Sequence, residues 1–433
     1  MKNRHSLTRR QFLSTTALSA ASVPLLLPSH IWGADADAKP NARLTMGFIG
    51  TGTQGRHLLN SFMQHPGAQV VAVCDVDTTR REHYKKKVEE FYTTKQDQDF
   101  KGCAAYKDFR ELIARKDIDT VVVATPDHWH AYICVMAAKA KKDIYCEKPL
   151  SLTIHEARAM VDAVRKNDRV FQTGSMQRSS SEFHKACTLV RNGVIGKVKE
   201  IFISVGGPSQ PCDLPEETLE PGLDWDAWLG PAPVRPYNSI LSPRGVHGHF
   251  PNWRNYREYS GGMMTDWGAH HFDIAQWGLG MDASGPVEII PPGANDAKRL
   301  TYKYANGVVM YHGGLEGYGF GVVFVGENGK VCVDRGKFKA EPEDLGKTDL
   351  ATLPTKLYKS NNHYKDFLDC VRSRQKPICD VEVGCRTVTV CHLGNIAYWT
   401  KKPFKWDPAK EQVTGDAEVS KWLDREKRGG LQV

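Results

Sequence analysis

Residues 46–55 read MGFIGTGTQG, and the interpretation of this stretch decides the fold. A short apolar run ends at Gly50, Gly52 and Gly55, and a segment of helical spacing, QGRHLLNSFMQH, follows. Glycines suit such a junction because the backbone must turn tightly, approach a pyrophosphate and let a helix lie close on its strand. The helix N-terminus then points at negative charge. The next apolar run, QVVAVCD, ends at Asp75, 20 residues beyond Gly55, where a carboxylate accepts from a ribose 2′-hydroxyl. Together these features predict a dinucleotide site, with Thr53 and Gln54 of the glycine loop among its contacts. A carboxylate repels a 2′-phosphate, so NAD is the expected cofactor. Arg80 and Arg81 nearby leave NADP as the lesser alternative.

The same texture continues outward. DTVVVAT, KDIYCEKP and RVFQTG read as strands, while HAYICVMAAKAK and IHEARAMVDAVRK have helical spacing. This alternation predicts an α/β Rossmann domain over 46–173, a doubly wound parallel sheet. The polar stretch 80–106 reads as a solvated helix and loop. Ligands sit at the carboxyl ends of such strands, so Thr125, Pro126 and His130 are expected at the cofactor. His128 and His130 are spaced like a metal pair, but helix capping and packing explain them better, and no metal is expected.

After Gly174 the period becomes that of strands. VKEIFISVGG, RLTYKYANGVVMYHGG and FGVVFVGENGKVCVDRG, two of them with Asn-Gly turns, predict a C-terminal α+β domain over 174–405 with an open, mainly antiparallel sheet. A Pro- and Trp-rich insertion, 208–259, is too irregular to read as packed core, and the polar tail 406–433 is expected to wrap the surface.

The chemistry is expected where Cys146-Glu147-Lys148-Pro149 ends its strand. The following proline holds Lys148 extended and projects its ammonium off the sheet, with Glu147 beside the cofactor. In GGMMTDWGAHHFD, a helix starting at Asp266 puts His270 and Asp273 on one face. A histidine between two carboxylates has a raised pKa and a fixed tautomer, as a general base needs; a capped helix with a packed histidine is the plainer alternative. His249, Trp253 and Arg254 of the insertion, with Trp225, Trp228 and His247, have the makeup of a sugar-binding wall or of a subunit contact. Arg178 is a further candidate substrate contact.

Taken in order, GFIGTGTQG, ATP-x-x-x-H, CEKPLS and GG-x-x-x-D-x-G-x-H resemble the Gfo/Idh/MocA oxidoreductase family over roughly 46–400. The resemblance implies NAD(P)-dependent hydride transfer at a sugar or polyol carbinol and a C-terminal sheet that often mediates homo-oligomers. It gives Lys148 as catalytic lysine, Asp266 as substrate-positioning aspartate and His270 as acid/base. The doubled His270-His271 and the 208–259 insertion depart from the simplest members.

Residues 1–36 carry Lys2, Arg4 and the pair Arg9-Arg10 ahead of an uncharged stretch and a small-residue site, the layout of a signal peptide for the Tat export machinery. Export of the folded protein to the periplasm, free or membrane-anchored, is therefore expected. NADH made there has no evident reoxidant, which favours a captive cofactor recycled at each turnover, as in a sugar dismutase or an NAD-dependent glycoside hydrolase or lyase with no net redox. Without this leader the formal charge drops from +8 to +5 and is spread along the chain, which gives no argument for nucleic acid. The 11 cysteines include no CxxC pair, and Cys379, Cys385 and Cys391 read as packing.

Overall fold

Strand β1 (Leu44–Ile49) buries its last four residues and pairs in parallel with β2 (Ala68–Cys74) on one side and β4 (Thr120–Val123) on the other. Strands apolar on both faces need helices above and below. The sequence supplies α1 (Thr53–Met63), α2 (Thr78–Gln96), α3 (Phe109–Ala114), α4 (Asp127–Lys139) and α5 (Ile154–Lys166). With β3 (Ala104–Tyr106), β5 (Asp143–Cys146) and β6 (Phe171–Thr173), the parallel sheet runs β3-β2-β1-β4-β5-β6, the doubly wound arrangement that the glycine loop predicts. Its order reverses between β1 and β4, so a ligand cleft opens beyond their carboxyl ends. This computed structural model describes residues 43–96 and 102–430; the arginine-pair leader lies outside them. The chain from Leu44 onward is one compact unit.

Beyond β6 come α6 (Ser181–Arg191), β7 (Val198–Ser204), α7 (Trp225–Leu229), α8 (Met263–Asp266) and α9 (Gly268–Leu279). There follow β8 (Glu288–Ile290), β9 (Thr301–Lys303), β10 (Val309–His312), β11 (Gly321–Gly326), β12 (Lys330–Asp334) and β13 (Lys337–Glu341). Last are α10 (His363–Ser373), α11 (Val381–Thr400), β14 (Phe404–Asp407), β15 (Gln412–Thr414) and α12 (Ala417–Ser420). The second sheet runs β13-β12-β11-β7-β10-β9-β8-β14-β15, antiparallel except where β7 meets β10. Phe183 of α6, Phe272 of α9 and Leu393 of α11 pack on Ile201, Met310 and Phe324 of that sheet.

Three stretches differ from their sequence reading. In the described part of 80–106, α2 is solvated on its outer face only: Tyr84, Val88 and Tyr92 recur every four residues and are buried, and β3 adds a strand. The insertion 208–259 does pack, around Leu223, Trp228, Leu229, Tyr237, Trp253 and Tyr259. Indole rings supply enough apolar area for a small core with little regular secondary structure beyond the short α7. The polar tail supplies the edge strand β15 and the end of β14, buries Val419 and Leu423, and brings Arg425 onto buried Glu156, 3.1 Å away. Helix α10 returns to the first sheet, where Phe367 meets Phe62 and Tyr145. Cys379, Cys385 and Cys391 are buried, and all 11 cysteines are free.

Candidate functional site

The carboxyl ends of β1, β2, β4 and β5 open into a cavity of about 1040 Å³. Gly50 has φ +90°, and a Cβ there would stand 2.7 Å from the Ala124 backbone. One on Gly55 would collide with the Gly50 carbonyl, so both positions are fixed by close approach of chain to chain. Gly52 differs: its missing side chain leaves open space with no atom within 4 Å, at the start of α1, whose N-cap makes no side-chain hydrogen bond. An open cradle facing free helix N–H groups fits a pyrophosphate, so the residues present suit a dinucleotide.

Asp75 stands on the same wall. Its Oδ2 accepts from Thr51 N at 2.8 Å and Thr51 Oγ1 at 2.9 Å, and its Oδ1 from Asp77 N at 3.0 Å, which fixes the carboxylate in orientation. Arg81 donates to Asp75 O at 2.8 Å and Thr78 Oγ1 at 3.2 Å. Arg80 donates to Gly245 O at 3.1 Å and also to Pro243 O. Both guanidiniums are committed inside the protein.

The insertion lies across this cofactor half as a strap. Thr53 Oγ1 donates to His249 O at 2.7 Å, Thr78 N to Gly222 O at 3.0 Å and Asp224 N to Val76 O at 3.1 Å. Trp129 Nε1 donates to Trp228 O at 3.0 Å, and from the tail Arg428 Nε donates to Gly230 O at 2.8 Å. The ties come from the ends of β1, β2 and β4 and from the C-terminus.

At the other end Lys148 Nζ lies 2.6 Å from Asp266 Oδ1 and 3.0 Å from Asp266 O. Arg254 Nε is 3.5 Å from the same Oδ1. Burial pushes the Asp266 carboxyl up, but Lys148 and Arg254 more than offset it and hold it below the ordinary range. His270 is 6% exposed, with no hydrogen-bond partner at Nδ1. Burial, reinforced by Lys148 and Arg335, drives its pKa well below 6.5, so the imidazole is neutral near pH 7. A neutral imidazole accepts a proton, while an ammonium seated on a carboxylate polarises a hydroxyl.

The cavity wall thus brings together Gly50, Gly52, Thr53, Gln54, Asp75, Thr125, Pro126, Glu147, Lys148, Trp253, Arg254, Asp266 and His270. Glu147 Oε1 accepts from Gln54 Nε2 at 2.9 Å, which links the strand end to the glycine loop. Four expectations are corrected. His270 is not flanked by two carboxylates and its pKa is lowered, because Asp266 closes α8, Gly268 opens α9, and Asp273 turns away to Arg178. Arg178 does not line the cavity: it is 1% exposed and bracketed by Asp273 at 2.8 Å and Asp282 at 2.7 Å. His249 contributes its carbonyl while its side chain is exposed, and the cavity wall is formed by His247 instead. His130 lies behind the wall, with its ring nitrogens each 2.9 Å from a carbonyl, of Pro149 and Thr125, so it braces the two loops. The neighbouring His128 faces Trp228 O at 2.9 Å. Among the described residues no cluster of three or more His, Cys, Asp or Glu could hold a metal.

Sequence reasoning missed Arg335, which a hairpin turn delivers, and Arg428 with Gly429 at the tail. No local pattern marks them.

Residues 44–175 match the NAD-binding Rossmann fold of the Gfo/Idh/MocA oxidoreductases, and residues 206–433 match the C-terminal alpha/beta domain of the same family. The chain belongs to that family of NAD-binding oxidoreductases. The uncharacterised oxidoreductase YrbE of Bacillus subtilis strain 168 is 24% identical over 308 residues, 68% of this chain and 75% of its own. The myo-inositol 2-dehydrogenase of Thermotoga maritima is 31% identical over 169 residues, 39% of this chain and 47% of its own, so the match spans about half of that relative. The fold is also that of the WlbA dehydrogenase of Bordetella pertussis, solved with NADH and UDP-GlcNAcA, at TM-score 0.59 and 14% identity over 84% of this chain and 99% of its own.

Proposed function

We propose that the protein transfers hydride between a carbinol of a sugar or polyol and an NAD that it holds through turnover. The observation that carries this reading is that Lys148, Asp266 and His270 meet at one end of the cavity whose other end is the glycine cradle. NAD, when bound, supplies the hydride acceptor. His270, neutral and on the cavity wall, takes the proton of the substrate hydroxyl. Lys148 stabilises the developing alkoxide by charge, and Asp266 fixes the ammonium in place. Trp253 and Trp267 line the cavity beside these groups, each carrying a guanidinium on its ring, Arg254 on the first and Arg335 on the second. The myo-inositol relative supports a polyol or sugar.

NAD rather than NADP is supported by Asp75 and by the commitment of Arg80 and Arg81 to protein carbonyls. The strap supports retention of the cofactor, and the leader sequence supports Tat export to the periplasm. A retained cofactor is recycled in the site, by dismutation of two sugars or by redox-neutral cleavage of a glycoside, and product analysis separates these from net oxidation. Copies are proposed to associate through the second sheet, where Phe202 stacks on Tyr311 with ring centroids 5.1 Å apart. The test of the mechanism is Lys148→Met, which is expected to lower kcat by at least about 10²- to 10³-fold while leaving NAD affinity intact. Unchanged turnover would overturn the assignment.

A further inference from the structure

The hairpin between β12 and β13 turns at Arg335-Gly336, and that turn is built rather than loose. Asp334 and Lys337 are paired across it, Gly336 has φ +67°, and its N–H donates to Glu182 Oε1 at 3.0 Å. The turn sends Arg335 into the wall of the cavity, at the end that holds His270 and Asp266. There its guanidinium carbon stands 4.6 Å from the centroid of the Trp267 ring, and Phe320 packs edge-on against that ring at 4.9 Å. A guanidinium on an indole face is held by cation–π attraction with its in-plane donors left outward.

The neighbouring acids do not pair with Arg335. Glu182 takes the Gly336 N–H and Asp266 takes Lys148 and Arg254, while Asp334 Oδ1 lies 3.8 Å from Nε2 of His271, whose burial lowers its pKa to about 4 and keeps it neutral. Glu147 is held by Gln54, and Asp127 accepts from Ser260 Oγ at 2.6 Å. Among the described residues no carboxylate forms an ion pair with Arg335. The substrate end therefore carries an oriented cation with open donors, which a neutral polyol does not need.

We infer that Arg335 receives an anionic group of the substrate, which makes the preferred carbohydrate an acidic one bearing a carboxylate or a phosphate. This rests on the carbinol-oxidation reading for the word substrate, but its test is one of binding. The NAD-loaded protein and its Arg335→Gln and Arg335→Lys variants are titrated calorimetrically with glucuronate, glucose 6-phosphate and glucose. An anion on an oriented guanidinium is expected to bind roughly 10- to 100-fold tighter than the neutral sugar. Arg335→Gln should erase that preference, Arg335→Lys should keep part of it, and both should leave melting temperature and NAD affinity unchanged, because the side chain is exposed on a turn. The stronger of the two anions names the source. Equal affinity for all three sugars, no measurable affinity for any, or a preference that survives Arg335→Gln overturns the inference. If the acidic sugar binds through Arg335 but Lys148→Met and the parent alike turn nothing over, the oxidoreductase reading fails while this one stands.

Discussion

His270 shows how strongly a side chain's chemistry depends on its surroundings. Its spacing from Asp266 and Asp273 predicts a raised pKa, yet burial and the cations Lys148 and Arg335 lower it. A base whose pKa is depressed stays competent at lower pH, so the acid limb of kcat/KM for alcohol oxidation should fall below pH 6.5; a limb above that value would place the base elsewhere. Stability has the matching sign. The folded state favours neutral imidazole, so this contribution is present above pH 6.5 and is lost as pH falls toward the folded pKa. Arg178 makes the opposite point, a charged residue that is structural. Arg178→Met strands Asp273 in the interior and should cost about 3–5 kcal/mol of stability, read as a fall in melting temperature. A raised KM with an unchanged melting temperature would return Arg178 to the substrate. The glycines, Asp75 and Lys148 were legible because backbone geometry and strand ends constrain them locally. Arg178, His249 and Arg335 were not: Arg178 is held by Asp273 more than 90 residues away, His249 acts through its backbone carbonyl on Thr53, and Arg335 reaches Trp267 from a separate hairpin turn.

Among the elements the strap is the least regular and the most consequential. Indole packing around the short α7 orders it, so periodicity along the chain could not reveal that order. Its purchase on the parallel sheet runs through few side chains, of which Arg80 binds two carbonyls and also forms an ion pair with Asp77 at 3.4 Å. Arg80→Ala should speed release of bound NAD by about 10- to 100-fold, measured by stopped-flow displacement, from the loss of charge-assisted hydrogen bonds. Release as slow as in the parent would mean that the strap does not retain the cofactor. Helix α2 and the tail were read as solvated because charge dominates their composition. Their buried faces, Tyr84, Val88 and Tyr92 in one and Val419 and Leu423 in the other, are narrow.

Across the whole molecule, the parallel sheet offers its switch point and the second sheet brings α8, α9 and the Arg335 turn to face it, so one cavity holds both the glycine cradle and His270. The alternation of strand and helix made the first sheet legible. The helices that cover it from the distant C-terminal stretch, such as α10, are a tertiary fact that order along the chain conceals. The central claim is that this cavity keeps its NAD. The measurement that tests it most directly is to denature the purified, extensively dialysed protein and quantify the released nucleotide chromatographically against NAD, NADH and NADP. The account predicts NAD(H) in near-equimolar amount and no NADP, whereas protein that emerges empty and binds added NAD only weakly would contradict it.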